Sequence, residues 1–259
     1  MCQSPTEQVS RIVVVLQWQR WEGRVSARNV QKARIVKRIE RHGLPPDRAV
    51  QPGVLARAMF GVGIKFGANT EICGEGEPRE YVYQVVKGTV RTQKVLHDGR
   101  RKIEGFHFPG DIFGLFPGDI FGLEEADVHS LSAEAVVPST VRATKRRTLI
   151  WLASNDRKLA EELLTLALRE AARAHRQALM LIMTAQERVG SFLLEMGERI
   201  GIGDLVMLPM SRHDIADHLG VTTETVSRTF TILESASAIG LPNAPNARAV
   251  ILQDRSALK

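Results

Sequence analysis

The residues from 211 to 233 carry two short apolar patterns with a glycine between them. Ser211 is a good N-cap with Asp214 three residues later, and Gly220 can adopt the left-handed conformation that ends a helix. Thr222 can cap a second helix directly after that glycine. The spacing predicts two helices whose apolar faces pack against each other. Those faces consist of Ile215, Ala216, Leu219, Val226, Phe230 and Leu233.

Three polar side chains, Glu224, Ser227 and Arg228, project from the opposite face of the second helix. Arg can bond guanine O6 and N7 with two hydrogen bonds, Glu can accept from cytosine N4, and Ser can serve either kind of base. This arrangement predicts a helix-turn-helix whose second helix enters the major groove. Spacing alone leaves a helical hairpin with a solvated charged face as an equal alternative. Candidates for contact with the DNA backbone, or for starting the two helices, are Ser211, Arg212, Thr222 and Thr223.

The pattern is also helical from Trp151 to about Met183, without Gly or Pro. Ser154 or Asn155 can cap this helix. Apolar residues along this helix alternate spacings of four and three, which makes a heptad seam. They are Ala160, Leu164, Ala167, Ala171, Ala174, Ala178 and Leu181. A seam of this kind on one long helix needs a partner, which is either a second chain or the chain's own β domain.

Short β-rich runs punctuated by turn residues precede this helix. Asp98-Gly99 is a hairpin signal, and Pro138 separates the last two runs. Several short strands of this kind predict a sandwich or a small barrel. The predicted strands are residues 81–86, residues 89–96, a run that ends at 108, residues 132–137 and residues 140–144.

Two segments of the chain are doubled. The sequence FPGDIFGL stands at residues 108–115 and again at 116–123, and a Pro-Asn-Ala triplet is repeated within residues 242–247. Two identical turns would compete for one register in a sheet, so we expect one copy of FPGDIFGL to loop out. Eight residues that occur only twice do not make a solenoid.

The chain resembles the Crp/Fnr superfamily of transcription regulators, and in particular its FixK branch. The run Glu224-Thr225-Val226-Ser227-Arg228 is similar to the E-x-x-S-R reading head of the Fnr and FixK branches. The segments GEGEPREYVYQVVKG, LHDGRRKI and FHFPGDIFGL are similar to the sensor domain of the FixK branch, so the resemblance covers about residues 70–259.

The resemblance implies an α+β fold in four parts. These are a basic N-terminal extension over residues 1–64, a β-roll similar to cyclic-nucleotide-binding domains over 65–152, a dimerisation helix over 153–183 and a winged helix-turn-helix domain over 184–259. Runs at 239–241 and 249–252 are the expected strands of the wing. Ser235-Ala236-Ser237 stands where the family usually has a turn such as Asp-Gly, which makes the junction before the wing a departure from the pattern.

The resemblance further implies a function. Glu224, Ser227 and Arg228 are expected to read TTGAT…ATCAA palindromes in double-stranded DNA, and the long helix is expected to form a parallel homodimer. Thr223 stands where the cyclic-AMP receptor branch has an additional Arg. The implied protein is a transcription activator that contacts RNA polymerase, for genes used under low oxygen.

No cofactor is expected in the β-roll. The cyclic-AMP receptor branch uses a late arginine to pair with the cyclic phosphate, whereas no Arg stands between Arg101 and Arg142 here. Two cysteines, Cys2 and Cys73, cannot supply the four ligands of the iron–sulfur cluster in the Fnr branch. Cys73 is a candidate redox thiol, although a half-buried structural cysteine is the interpretation we prefer.

The net charge of +6 does not by itself indicate nucleic-acid binding, because the basic excess does not lie in the predicted DNA-binding domain. Residues 1–50 hold ten Lys/Arg against four Asp/Glu, whereas residues 184–259 hold seven against nine. DNA binding must therefore rest on local geometry. A basic helix predicted over 26–41 either adds phosphate contacts or is a solvated extension, and we prefer the second interpretation.

The composition indicates a cytoplasmic protein without a membrane partner, because apolar runs are short, no signal peptide is evident and cysteines are few. Two alternatives remain open. A cupin-like metal enzyme would need a His-x-His pair, and His107 has no such partner, so neither a catalytic residue nor a metal ligand is predicted. A dimeric ligand-binding module that no longer reads DNA is the second alternative.

Overall fold

The computed structural model describes residues 53–115, 128–242 and 248–258. The helices within these ranges are α1 (Val54–Ala58), α2 (Arg146–Asn155), α3 (Arg157–Leu179), α4 (Ala185–Ile200), α5 (Arg212–Leu219) and α6 (Thr223–Ser235). The strands are β1 (Gly63–Phe66), β2 (Glu71–Cys73), β3 (Tyr81–Lys87), β4 (Val90–Val95), β5 (Arg101–His107), β6 (Ile112–Phe113), β7 (Ser132–Ala135), β8 (Ser139–Lys145), β9 (Leu205–Met207), β10 (Ile239–Gly240) and β11 (Ala249–Leu252).

The first eight strands form the predicted β-roll as two antiparallel sheets, in the orders β1-β8-β3-β6 and β2-β7-β4-β5. Side chains from both sheets meet in one core, so the sheets pack face to face. Pro138 lies where the chain passes from one sheet to the other, between β7 and β8. The core residues are Cys73, Val85, Val90, Phe113, Ala133 and Val141.

Two glycines make the turns on either side of β4 possible. Gly99 has φ +82° in the predicted hairpin between β4 and β5. Gly88 has φ +93°, and a Cβ there would come within 2.2 Å of Ser139 Oγ. A side chain at Gly88 would therefore be strained by its backbone and would also collide with β8.

The first copy of the doubled FPGDIFGL segment occupies the register of the roll. Its residues 112 and 113 form β6 and pair with Gln84 and Tyr83 of β3, and Leu115 is buried. The second copy and most of the doubled Pro-Asn-Ala triplet lie outside the described residues. The expectation that one copy loops out stays a prediction.

Helix α1 lies within the residues predicted as an N-terminal extension, 1–64, and it packs on α3. Leu55 and Met59, in and just after α1, are buried against Leu159 and Leu163 of α3. The Glu162 carboxylate of α3 accepts from the first backbone N–H groups of α1, at 2.9 and 2.8 Å, which is the favourable place for an anion at a helix. These residues are therefore packed on the folded part of the chain, and the predicted helix over 26–41 lies outside the described residues.

The long helix predicted over 153–183 is α3, which is shorter at both ends, and a separate helix, α2, precedes it. Asp156 adopts an extended conformation (φ −129°, ψ 106°) that separates α2 from α3, and its side chain accepts from Lys158 N and Leu159 N. The predicted cap at Ser154 or Asn155 is therefore wrong, because Asp156 takes that role. The helix also ends early, at residue 179, and a 3₁₀ turn, Met180–Ile182, follows it.

The C-terminal domain is the predicted winged helix-turn-helix. Thr184 and Glu187 form a capping box that starts α4, which runs to residue 200. The wing is a three-stranded sheet in the order β10-β11-β9. Sequence reasoning missed β9 because three residues carry too little pattern to identify a strand.

The β-roll and the C-terminal domain share a hydrophobic core. Phe106 of β5 contacts Phe192 of α4 edge-on, with ring centroids 6.4 Å apart, and both side chains are buried. Ile103 and Phe108 belong to the same cluster as Leu193 and the buried residues of α5 and α6. The two parts of the chain are therefore packed as one body in this structure.

A strained serine makes the turn before the wing, where the sequence lacks the usual glycine. Ser237 has φ +57°, a left-handed conformation, and its backbone N–H donates to Glu234 O. A Cβ in this region is unfavourable by roughly 1–2 kcal/mol. The chain thus keeps the turn of a wing with a residue that does not favour it.

We predict that Ser237→Gly raises the free energy of unfolding by about 1 kcal/mol, because glycine adopts positive φ without that strain. Ser227→Gly, at an exposed position inside α6, is the matched control and should lower it by roughly 0.5–1 kcal/mol. Urea unfolding followed by circular dichroism measures both. Equal signs for the two variants would show that the left-handed turn is not a source of strain.

Candidate nucleic-acid interface

The two helices of the predicted helix-turn-helix begin and end as expected. Ser211 Oγ accepts from Asp214 N at 3.0 Å, and the Asp214 carboxylate accepts from Ser211 N at 3.1 Å, which closes a capping box at the start of α5. Gly220 has φ +67° and ends α5. Thr222 Oγ1 accepts from Thr225 N at 3.1 Å and starts α6. The turn between the helices is therefore set by local hydrogen bonds.

The apolar faces of α5 and α6 are buried against each other and against α4. Val226 is fully buried, and Phe230 and Leu233 are each 2% exposed. They share a core with Ile215 and Leu219 of α5. Because these positions fix the rotation of α6, the opposite face of that helix must point to solvent.

The three predicted base-reading residues lie on that solvent face near the start of α6. Arg228 Nη2 donates to Glu224 Oε1 at 2.5 Å, and both side chains are largely exposed, at 75% and 69%. Ser227 Oγ donates to Thr223 O at 2.9 Å. The exposed pair is weak, and the guanidinium has further N–H donors for a base. The sequence placed these side chains on one face, and the structure adds that the carboxylate orients the guanidinium.

Arg212 packs on an aromatic ring of α6. Its guanidinium carbon is 3.2 Å from the centroid of the Phe230 ring, so the side chain packs between α5 and α6 as a cation–π contact. Burial lowers the pKa of Arg212 to about 10. Arg212 is the first residue of α5, as the helix-start alternative predicts, and its contact with the DNA backbone stays a prediction.

The other helix-start candidates are exposed, and a histidine joins them. Thr222 and Thr223 face solvent, as does Ser211. His213 Nδ1 lies 3.3 Å from Thr223 Oγ1, which places an exposed imidazole beside the start of α6. Sequence reasoning did not single out His213. The signal was available, because the second residue of α5 and the first residue of α6 both follow a cap and face the same side.

The predicted heptad seam faces solvent in this chain. Leu164 is 50% exposed and Leu181 is 79% exposed, and the alanines between them are exposed or half-buried, namely Ala167, Ala171, Ala174 and Ala178. A different stripe of α3 packs on the chain's own roll, where Leu159 and Leu163 are buried and Gln177 donates to Glu104 O. The helix therefore has two apolar stripes, and the seam is the one left uncovered.

Cys73 is not placed as a reactive thiol. It is 5% exposed in the core between the two sheets of the roll. Burial, with the nearby Glu77 carboxylate, raises the pKa of the Cys73 thiol to about 12. A redox thiol needs an accessible thiolate at neutral pH, so the structure supports the interpretation as a buried structural cysteine and not the redox one.

The histidines of the roll do not gather into a ligand set. His107 is buried in the roll, where its Nε2 lies 3.1 Å from Thr92 Oγ1, and burial together with Arg173 and Arg199 lowers its pKa to about 3. Within the described ranges, no group of three or more His, Cys, Asp or Glu side chains is arranged to hold a metal ion. In that same part of the chain, no helix is long and apolar enough to cross a membrane.

The chain has known relatives over both its domains. Residues 187–259 match the Crp-like helix-turn-helix domain family, and residues 64–156 match the cyclic nucleotide-binding domain family. The nitrogen fixation regulation protein FixK of Azorhizobium caulinodans is 43% identical over 223 residues, which span 84% of this chain and 85% of that protein. The transcriptional activatory protein AadR of Rhodopseudomonas palustris is 36% identical over 181 residues, which span 68% of this chain and 72% of that protein.

A solved structure agrees with these matches. The structure of FixK2 from Bradyrhizobium japonicum is 43% identical to this chain and superposes with a TM-score of 0.68. The superposition covers 76% of this chain and 96% of that chain. The roll, the long helix and the helix-turn-helix domain thus have counterparts in one protein.

We predict that Thr222→Ala lowers the free energy of unfolding by about 1 kcal/mol, because it removes the cap that starts α6. Thr231→Ala is the matched control: Thr231 lies on an exposed face inside α6, and the change should be within about 0.5 kcal/mol of zero. Thermal and urea unfolding compare the two variants. If both threonines mattered equally, the cap would not be what fixes the start of α6.

Proposed function

The chain belongs to the Crp/Fnr superfamily of transcription regulators, in its FixK-type branch, and from this membership we propose that it is an activator that reads a palindrome as a homodimer. The observation that carries the proposal is the exposed face of α6, on which Glu224, Ser227 and Arg228 stand together. The proposal requires of this face only that it form hydrogen bonds to base edges.

Each of the three side chains has a defined part in the proposed reading. Arg228 donates to O6 and N7 of one guanine, Glu224 accepts from a cytosine N4, and Ser227 serves a neighbouring base. The Glu224–Arg228 pair supports this assignment, because a carboxylate that holds the guanidinium reduces the freedom it loses on binding. The expected target is a TTGAT…ATCAA palindrome, as the E-x-x-S-R pattern of the branch implies.

A palindrome requires two reading heads, and the seam on α3 supplies the contact between two chains. Small residues at Ala171, Ala174 and Ala178 allow two parallel helices to approach closely. In a two-fold dimer the recognition helices lie about one turn of DNA apart, roughly 34 Å. Ser211, Thr222, Thr223 and His213 then lie beside the reading face, where they can bond phosphate oxygens.

Activation follows from the family in a further step of the proposal. The related AadR is a transcriptional activatory protein, and an activator on DNA works by contact with RNA polymerase. We place this protein in the cytoplasm, where bacterial promoters are, and expect its targets to be genes used under low oxygen. The roll takes no small ligand in this proposal, because no Arg stands between Arg101 and Arg142 to pair with a cyclic phosphate.

Arg228→Ala tests the assignment of the reading head. We expect the affinity for the palindrome to fall about 5–150-fold, which corresponds to roughly 1–3 kcal/mol, and discrimination at one guanine to be lost. Fluorescence anisotropy with the palindrome and with duplexes altered at single positions measures both effects. Arg157→Ala, the same charge change at the exposed start of α3, is the control and should bind as the unaltered protein does. A uniform loss on all duplexes would mean that Arg228 contacts the backbone.

Ala171→Glu tests the dimer seam. Two carboxylates would meet where the helices approach, so we expect a monomer in analytical ultracentrifugation and loss of binding to the full palindrome. Ala172→Glu is the matched control, because Ala172 is exposed on α3 but lies off the seam, and it should remain dimeric. Two variants with the same association state would place the dimer contact elsewhere.

A further inference from the structure

A buried ion cluster joins the β-roll to the helix-turn-helix. Arg91 Nη1 of β4 lies 3.2 Å from Asp214 Oδ1 of α5, and Arg101 Nη2 of β5 lies 2.8 Å from the same oxygen. Arg101 Nε also donates to Asp217 Oδ2 at 2.6 Å. The side chains of Arg91 and Asp214 are only 7% and 8% exposed. Two charged side chains from each domain thus meet away from solvent.

Both sides of the cluster are fixed within their own domains. Arg91 is held in the roll by the Glu134 carboxylate and by Gln93. Asp214 belongs to the capping box that starts α5 with Ser211. Burial alone would raise the pKa of Asp214, but the hydrogen bonds from Ser211 and the charges of Arg91 and Arg101 hold that pKa below its usual value. The cluster is therefore charged and geometrically defined.

The other end of α5 is fastened to the same strand of the roll. Lys102 Nζ donates to His218 O at 2.5 Å, close to the negative end of the helix dipole. His218 Nδ1 bonds Ile103 O at 3.0 Å, and its ring contacts the rings of Phe106 and Phe192, with centroids 5.4 and 5.9 Å apart. Burial lowers the pKa of His218 to about 4, so the ring is neutral at pH 7 and donates to Ile103. Both ends of α5 are thus held by β5.

We propose that the contact between α5 and the pair β4–β5 is an orienting latch that holds the DNA-binding domain in its DNA-competent orientation without a small ligand. The latch consists of Arg91, Arg101 and Lys102 on the roll and of Asp214, Asp217 and His218 on α5. It rests on the proposed function, because competence means reading the palindrome. Arg101 is its positioning residue, since it alone in the cluster bonds two residues of α5 and makes few bonds within the roll.

The exposure of the base-reading residues supports the proposal that the latched orientation is the DNA-competent one. The latch holds α5, whereas Glu224, Ser227 and Arg228 on α6 remain exposed. The latched arrangement therefore leaves the reading face open. A palindrome needs two heads at a fixed spacing, and a domain that rocks on the roll would present them at many spacings. Separating these buried charges costs free energy. The latch therefore restricts the two reading heads to a narrow range of spacings.

Arg101→Gln is the variant that tests the latch, and Arg100→Gln is its matched control. Arg100 is the preceding residue; its side chain is 78% exposed and pairs with Asp98 in the same turn. The two variants therefore lose the same charge at adjacent positions of the chain. A first measurement needs no DNA: hydrogen exchange of the amides of α5 and β5. Arg101→Gln should accelerate exchange there while Arg100→Gln leaves it unchanged, and equal exchange in the two variants would overturn the latch.

A second measurement compares binding to the palindrome with binding to a palindrome whose spacer is one base pair longer. Arg101→Gln should weaken binding to the correct palindrome about tenfold, within the range typical of coupling between sites. It should also discriminate less between the two spacers, because a loosened domain can follow the displaced half-site. A variant that merely damaged the fold would lose affinity on both spacers in proportion. An unchanged spacer ratio, or tighter binding to the correct palindrome, would overturn the proposal.

The two proposals can fail separately. If the unaltered protein does not prefer the palindrome to a scrambled duplex, the proposed function fails, and DNA competence fails with it, whatever the exchange shows. If the unaltered protein prefers the palindrome but Arg101→Gln behaves as Arg100→Gln in both measurements, only the latch fails. Asp217→Asn combined with Arg101→Gln completes the test, because partners in one contact should together lose little more than one alone.

Discussion

The packing of α6 against α5 is the interaction on which the rest of the structure depends. Burial of Val226, Phe230 and Leu233 fixes the rotation of α6 about its axis, and each such side chain contributes roughly 1.5–3 kcal/mol by leaving water. Because that rotation is fixed, Glu224 and Arg228 on the opposite side of the helix both face solvent. The reading face is therefore a consequence of the core and not of any attraction between its own polar residues.

The roll adds a second constraint, which concerns the whole domain instead of one helix. Phe106 and Ile103 extend the core of the C-terminal domain into β5, and the arginines of the same hairpin meet the acidic residues of α5. The apolar contact buries surface but does not by itself fix an orientation, whereas the charge-assisted hydrogen bonds of the ion cluster are directional. In the proposed latch, these two contacts give a use to a roll for which no ligand is predicted, since the roll then orients the DNA-binding domain of its own chain.

The sequence predicted the features that depend on neighbours within a few residues. The caps at Ser211 and Thr222, the left-handed Gly220 and the short strands of the roll between turn residues all follow from local chemistry. It did not predict what depends on distant partners. Arg91 meets Asp214 across 123 positions of the chain, and Arg212 stacks on Phe230 because of a tertiary contact. Asp156 was expected inside a helix, yet its short side chain caps one, which only the break before α3 reveals.

Palindrome reading is tested by equilibrium binding of the full chain to a TTGAT…ATCAA duplex and to a scrambled duplex, over a series of salt concentrations and without added ligand. We expect a preference for the palindrome of at least about a thousandfold, with two chains on each duplex. Equal and weak binding to both duplexes, falling steeply with salt, would contradict it, because phosphate contacts alone would then hold the DNA.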